Sequence, residues 1–150
     1  MENSTILHVG LDVGSTTVKI AVLDENLNTI YTTYERHFSD TKNTVCNVLQ
    51  MLVEKYSNYN FTVSLTGSGA MSAAKFLDLP FIQEVVSCKR AVEKYIPKTD
   101  VVIELGGEDA KIIYFDKFVE QRMNGTCAGG TGAFIDQMAS LLHTDTDGLN

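Results

Sequence analysis

Residues 6–27 read ILHVGLDVGSTTVKIAVLDENL, and their pattern decides the fold. Apolar residues alternate before and after a glycine turn, which predicts two strands joined as a hairpin. The alternating residues that share a face of each strand are Leu7, Val9, Leu11 and Val13, then Val18, Ile20 and Val22. Asp12 and Lys19 lie on the opposite face and flank the same turn.

The pattern returns in residues 101–119, which read VVIELGGEDAKIIYFDKFV. An acid, a glycine and a lysine recur at one fixed offset of 92 residues. They are Asp12, Gly14 and Lys19 in the first copy, and Glu104, Gly106 and Lys111 in the second. A repeat that preserves all three residue types indicates an internal duplication.

The segments between the copies predict alternating strands and helices. We expect a strand at 29–38, an amphipathic helix at 41–57, a strand at 61–67, a short helix at 70–77, an extended segment at 81–87 and a helix at 88–96. The offset places a further helix at 133–148. The sequence therefore predicts a mixed α/β chain, with a complete first lobe (1–97) and a truncated second lobe (98–150).

Composition excludes several classes of function. The net charge is −7 and no block of Lys or Arg occurs, which argues against a nucleic-acid groove. No apolar run reaches the roughly 18 residues of a membrane span, and no signal peptide is present, so we expect a cytoplasmic protein. Cys46, Cys88 and Cys127 form no CxxC pair, so neither a zinc ribbon nor a thioredoxin motif is indicated. A disulfide framework is not expected in a reducing compartment.

The two glycine turns have the composition of phosphate sites. In the first, Gly14, Ser15, Thr16 and Thr17 offer amide and hydroxyl donors, Lys19 adds a cation, and Asp12 can hold Mg²⁺ through water. In the second, Gly106 and Gly107 allow close backbone approach, beside the acids Glu108 and Asp109. One such turn alone is most simply a surface hairpin. Two copies facing each other across a cleft would clamp a triphosphate and its metal. Neither a Walker loop nor a Rossmann motif occurs.

A third motif, NGTCAGGTGAFIDQMA, occupies residues 124–139. Cys127 precedes a predicted helix, whose positive end favours a thiolate. The glycines around it leave room for a bulky cluster or another subunit. From these residues alone, a small buried cysteine at a helix start is the favoured interpretation.

These motifs together resemble a known family. LDVGSTTVK and ELGGEDAK resemble the two phosphate motifs of the actin, sugar kinase and Hsp70 ATPase superfamily, whose lobes are ribonuclease H-like. NGTCAGGTGAFIDQMA resembles the cluster-binding loop of the activator ATPases of 2-hydroxyacyl-CoA dehydratases and benzoyl-CoA reductases. The resemblance implies a homodimer that holds one 4Fe–4S cluster at its interface. It also implies that ATP hydrolysis drives a low-potential electron to a dehydratase-like or reductase partner.

The resemblance also implies roles for individual residues. Asp12 would organise Mg²⁺, the residues at 14–17 with Lys19 would bind the β- and γ-phosphates of ATP, and Gly106, Gly107 and Asp109 would close over them. Glu104 or Glu108 would orient the attacking water. Cys127 would bind the cluster, with a second cysteine ligand and the adenine pocket expected beyond Asn150.

Two residues depart from the pattern of the resembled family, and two alternative functions stay open. The family's simpler activators often carry aspartate and glutamine where this chain has Glu104 and Glu108, so the partner enzyme is not specified. One alternative is a small-molecule kinase of the same superfamily with Asp109 as base, although it leaves Cys127 unexplained. Another alternative is a non-catalytic nucleotide-sensing module of a larger chain.

Overall fold

The computed structural model of the chain describes residues 5–115, 119–124 and 131–149. It divides into two compact units, Met1–Glu84 and Val85–Asn150. Among the described helices, none has the length and apolar character needed to cross a membrane.

The first unit is a four-stranded mixed sheet with two helices. Its elements are β1 (Ile6–Val13), β2 (Thr17–Leu23), β3 (Thr29–Arg36), α1 (Thr41–Lys55), β4 (Asn60–Thr66) and α2 (Met71–Leu77). The strand order is β3-β2-β1-β4. β1 pairs antiparallel with β2 and parallel with β4, so it is a central strand.

The core of the first unit follows the predicted alternation. All seven apolar residues of the first hairpin predicted to share a face are at most 3% exposed. Val48 and Leu52 of α1 join them in the same cluster. The helix begins after Asp40, whose carboxylate accepts a hydrogen bond from the Asn43 amide at 3.4 Å. This cap satisfies one of the free donors at the helix start.

The second unit contains a three-stranded antiparallel sheet. It starts with α3 (Glu84–Tyr95), which begins at the boundary between the units. The elements that follow are β5 (Val101–Leu105), β6 (Ala110–Phe115), β7 (Val119–Met123), α4 (Gly132–Leu141) and a short 3₁₀ helix (Asp147–Leu149). The strand order is β5-β6-β7. The second unit therefore repeats the start of the first, three strands and then a helix.

The two hairpins agree in register as well as in order. β1 and β2 place Asp12 opposite Lys19, and β5 and β6 place Glu104 opposite Lys111. Each turn also contains an equivalent hydrogen bond. The Gly14 amide donates to the Thr17 carbonyl at 2.9 Å, and the Gly106 amide donates to the Asp109 carbonyl at 2.8 Å. The duplication inferred from the sequence is therefore a repeat of backbone geometry.

The matching strands differ in burial. Three apolar residues of β1 are 3%, 2% and 2% exposed, whereas their counterparts in β5 are 42%, 70% and 71% exposed. These pairs are Val9 and Val101, Leu11 and Ile103, and Val13 and Leu105. β1 lies between two strands, while in the described part of the chain β5 is an edge strand. The second unit thus presents an apolar row that the first unit buries.

The extended segment predicted at 81–87 is wrong for most of its length. Only Phe81 forms a bridge, parallel to Leu65, and α3 already begins at Glu84. A short apolar run fits both periodicities, and an acidic residue in the first turn favours a helix there.

The division between units falls before α3, whereas the predicted lobe boundary lay after it, at 97/98. The reason is packing: Val92 of α3 and Ile96, which follows the helix, line a cavity of about 330 Å³ together with Phe115 and Val119. The assignment of 1–97 and 98–150 as lobes stays a prediction.

The helix predicted at 133–148 also ends early, at Leu141. His143 adopts a left-handed backbone (φ 54°), and the Thr144 amide turns back to the Ala139 carbonyl at 2.9 Å. This closure satisfies a carbonyl of the last helical turn and stops the helix.

Candidate functional site

Asp12 and Lys19 form an ion pair beside the first turn. Lys19 Nζ lies 2.9 Å from Asp12 Oδ2, and the two side chains are 37% and 32% exposed. Lys19 Nζ also lies 5.4 Å from the centre of the Tyr34 ring. Both charges therefore remain open to solvent, and either can exchange its partner for a phosphate or a metal.

The first turn directs amide groups outward. Its Gly14 amide is used internally, but the N–H groups of Ser15 and Thr16 meet no acceptor within the described residues. Both residues are half-buried, whereas Thr17 is 5% exposed and belongs to β2. Two neighbouring amides without an acceptor in the described residues, beside a lysine, are the kind of donors that an anion site uses.

Three carbonyl groups in and beside this turn are engaged by donors from later in the chain. The Gly69 amide donates to the Val13 carbonyl at 2.8 Å. His37 Nε2 lies 3.3 Å from the Gly14 carbonyl, and the His37 amide donates to the Thr16 carbonyl at 3.2 Å. Sequence reasoning missed His37 because nothing in its neighbourhood marks it as a partner of a turn more than twenty residues earlier.

The backbone at Gly67 packs closely against Asp12. Its φ is +100°, and a Cβ at this position would lie 2.5 Å from Asp12 Oδ1 and 2.6 Å from the carbonyl carbon of Val13. Only glycine fits both the backbone conformation and the space. The available signal was the TGSG segment at 66–69, which overlaps the end of the strand predicted at 61–67.

The second turn surrounds a buried lysine. Lys111 is 8% exposed overall, and its Nζ lies 3.6 Å from Glu104 Oε1 and 3.4 Å from Asp109 Oδ2. Glu108, by contrast, is exposed. Glu104 and Asp109 are therefore both committed to Lys111, while Glu108 is the acid of this turn that faces solvent.

The start of α4 holds the second turn in place. The Gly132 amide donates to the Gly106 carbonyl at 3.1 Å, and the Ala133 amide donates to the Gly107 carbonyl at 2.7 Å. These are free donors at a helix start. The helix that follows the predicted cysteine loop is therefore bonded directly to the predicted phosphate turn.

Cys88 lies in the electrostatic field of this hairpin. Burial raises the pKa of its thiol, the negative charge of Glu104 raises it further, and Lys111 opposes them. The thiol is thus kept protonated at neutral pH, which makes it a poor metal ligand unless a cation displaces the proton.

Metal ligands are sparse in the part of the chain that the structure describes. No group of three or more His, Cys, Asp or Glu residues is arranged to hold a metal there. Asp12 alone fits Mg²⁺ binding through water, since magnesium keeps several waters and needs few carboxylates. The predicted iron–sulfur ligand, Cys127, lies outside the described residues.

The sequence is similar to that of activator proteins of known function. The chain is 32% identical to the 2-hydroxyisocaproyl-CoA dehydratase activator of Clostridioides difficile, over 94% of this chain and 54% of that protein. It is 29% identical to the (R)-2-hydroxyglutaryl-CoA dehydratase activating ATPase of Acidaminococcus fermentans, over 97% of this chain and 57% of that one. The chain therefore spans about half the length of these curated relatives.

A solved structure shares the fold. The activator of the 2-hydroxyisocaproyl-CoA dehydratase from Clostridium difficile, solved with bound ADPNP, superposes with a TM-score of 0.81 at 30% identity. The match covers 95% of this chain and 55% of that chain. The predicted mixed α/β, actin-like ATPase fold is thereby confirmed. The model of the BadF/BadG/BcrA/BcrD ATPase family matches residues 9–149, and the chain belongs to that family.

Proposed function

We propose that the protein is an ATP-dependent activator that delivers an electron to a 2-hydroxyacyl-CoA dehydratase or a related reductase. The observation that carries the proposal is the first turn, where free amides of Ser15 and Thr16 lie beside the Asp12–Lys19 pair. Relatives named as dehydratase activators support the choice of partner.

In the proposed mechanism, the first turn binds the β- and γ-phosphates. Ser15 and Thr16 donate their amides, and Lys19 moves its ammonium from Asp12 to a phosphate oxygen. Asp12, released from Lys19, would hold Mg²⁺ through water. When bound, the metal ion neutralises charge on the phosphate oxygens.

The second turn contributes close backbone contacts through Gly106 and Gly107, beside Asp109. Glu104 and Glu108 were both candidates for orienting the attacking water. Glu104 is held near Lys111 at 3.6 Å, whereas Glu108 is exposed, so we assign the role to Glu108. Catalysis of this kind depends on positioning and charge, and a carboxylate that is not held by a lysine is available to be positioned against the attacking water.

The cysteine loop supplies the redox part of the proposal. Cys127 of each subunit would be one of the four thiolates of a 4Fe–4S cluster shared across a homodimer. The bonds from Gly132 and Ala133 to the second turn join the following helix to the nucleotide turn. A change in the turn on hydrolysis would therefore reach the helix that follows the cysteine.

The ATPase part is tested by magnesium-dependent hydrolysis in the full-length protein. Asp12→Asn should lower the rate at least about 100-fold, as removal of a charge-stabilising group does elsewhere. Asp24→Asn is the matched control, since Asp24 caps the opposite end of β2 and bonds Asn26 and Asn28. It should retain the rate within about twofold. Equal rates in both variants would refute the assignment.

The cluster is tested separately, on protein purified without oxygen. Wild type should hold about four irons and four sulfides per dimer, and Cys127→Ala should lose them. Cys46→Ala, which changes an exposed cysteine of α1, should keep them. Iron-free wild-type protein after reconstitution, or a Cys127→Ala variant with a full iron content, would refute the electron-transfer function.

A further inference from the structure

His37 contacts the first turn through both its side chain and its backbone. Its Nε2 lies 3.3 Å from the Gly14 carbonyl, and its amide donates to the Thr16 carbonyl at 3.2 Å. The residue is 7% exposed, so these bonds form out of competition with water. The two carbonyls that it engages alternate along the chain with the free amides of Ser15 and Thr16.

The tautomer of His37 follows from its second nitrogen. The Ser39 amide donates to Nδ1 at 3.2 Å, so Nδ1 is an acceptor and carries no proton. The proton of the neutral ring therefore sits on Nε2 and points at the Gly14 carbonyl. Both ring nitrogens are used, one on the turn and one on the loop that carries the histidine.

The loop that presents His37 has a costly backbone. Phe38 and Ser39 both adopt positive φ, at 44° and 69°, although neither is glycine. Phe38 is 84% exposed, so burial of its ring does not explain the conformation. Such strain persists only where surrounding contacts impose it, and here the contacts are those of His37 with the turn.

In the second unit, different donors engage the carbonyl groups of the turn. There, the carbonyls of Gly106 and Gly107 are engaged by the amides of Gly132 and Ala133. In both units, the donors follow the third strand: His37 lies in the loop after β3, and Gly132 and Ala133 are the first residues of α4. The first unit uses a histidine side chain where the second uses a helix start.

From these contacts we infer that His37 is a positioning residue for phosphate binding, an inference that rests on the proposed function. By engaging the Gly14 carbonyl, His37 orients the peptide unit that also carries the Ser15 amide, so that this amide faces the phosphate, and its bond to the Thr16 carbonyl anchors the other end of the turn. An anion site needs this arrangement, because a carbonyl that swung inward would repel the ligand.

Two substitutions separate this role from simple support of the loop. His37→Gln can place an amide nitrogen near the position of Nε2 and keep the bond to Gly14, while losing the contact with Ser39. His37→Asn can replace Nδ1 as the acceptor for Ser39 but is too short to reach Gly14. The affinity of the full-length protein for MgADP and MgATP is measured by calorimetry. His8→Gln, which changes a half-buried histidine of β1 that is bonded to Thr62, is the control.

A positioning role predicts that His37→Asn weakens nucleotide binding about fivefold to tenfold, the effect of one lost hydrogen bond, while His37→Gln and His8→Gln stay within about twofold. A role confined to the loop predicts the opposite order, with Asn tolerated better than Gln. That order, or equal affinities in wild type and both His37 variants, would overturn the inference and leave the proposed function intact. Failure of wild type to bind either nucleotide would overturn both.

Discussion

Replacement of Gly67 by alanine tests how closely the backbone at Gly67 approaches Asp12 and Val13. The Cβ of alanine would lie 2.5 Å from Asp12 Oδ1 and 2.6 Å from the carbonyl carbon of Val13. The carbonyl oxygen of Val13 would be in the same clash. Two of these atoms are backbone, so the contact cannot be relieved by a rotamer change. The loop or the end of β1 must move by about 1 Å to restore van der Waals distance.

The expected cost combines two unfavourable terms and one favourable term. A residue with a Cβ at positive φ loses about 1–2 kcal/mol, and overpacking of this kind costs about 1–3 kcal/mol. Alanine also restricts the unfolded chain, which returns about 0.4–1 kcal/mol. We expect Gly67→Ala to lower the free energy of unfolding by about 2–4 kcal/mol. We also expect weaker MgADP binding, because the displaced atoms include the carboxylate of Asp12.

Urea unfolding followed by far-ultraviolet circular dichroism measures the stability term. Gly10→Ala is the matched control: Gly10 lies on β1, and its Cβ would meet only the Ala21 carbonyl oxygen, at 4.0 Å. Alanine in a strand is favoured over glycine by about 0.5–1 kcal/mol, so the control should be neutral or slightly stabilised. If both variants unfold at the same urea concentration as wild type, the close approach of Gly67 to Asp12 is refuted.

Three further outcomes follow from the same geometry. Lys111→Met should lower the free energy of unfolding in urea by about 1–3 kcal/mol, because two partly exposed carboxylates lose their cation at a buried site. An unchanged free energy of unfolding would show that the lysine is not buried. Burial and then Glu104 raise the pKa of Cys88 above its ordinary 9.0, so folding holds the proton more tightly and stability falls as the pH rises through the raised pKa. Glu104→Gln should lower that pKa, seen as faster alkylation of Cys88 near pH 9, and an unchanged rate would contradict it. Leu11→Ala should cost about 2–5 kcal/mol and Ile103→Ala under about 1 kcal/mol in this 150-residue chain, and equal losses would show that β5 is as buried as β1.

The two hairpins could be predicted from the sequence because the patterns that indicate them are local. Alternation gave β1 and β2, the fixed offset gave β5 and β6, and both acid–lysine pairs lie in the predicted register. Local signals failed where two periodicities fit one short run, as at 81–87. They also failed where a residue acts on a distant part of the chain. His37 and Gly67 are ordinary in their own surroundings, and only the folded sheet brings them to the turn.

Duplication has given the two hairpins one backbone and two different electrostatic environments. Lys19 and Lys111 occupy the same register position, yet the Lys19 side chain is 37% exposed with one acid partner, and that of Lys111 is 9% exposed between two. Moving Lys111 to a phosphate would leave two carboxylates unpaired, whereas moving Lys19 frees one carboxylate, which a metal ion can use. The cation that binds phosphate should therefore be Lys19, with Lys111 holding the second turn in shape. Exposure and the number of acid partners, more than position in the motif, distinguish a ligand-binding lysine from a structural one.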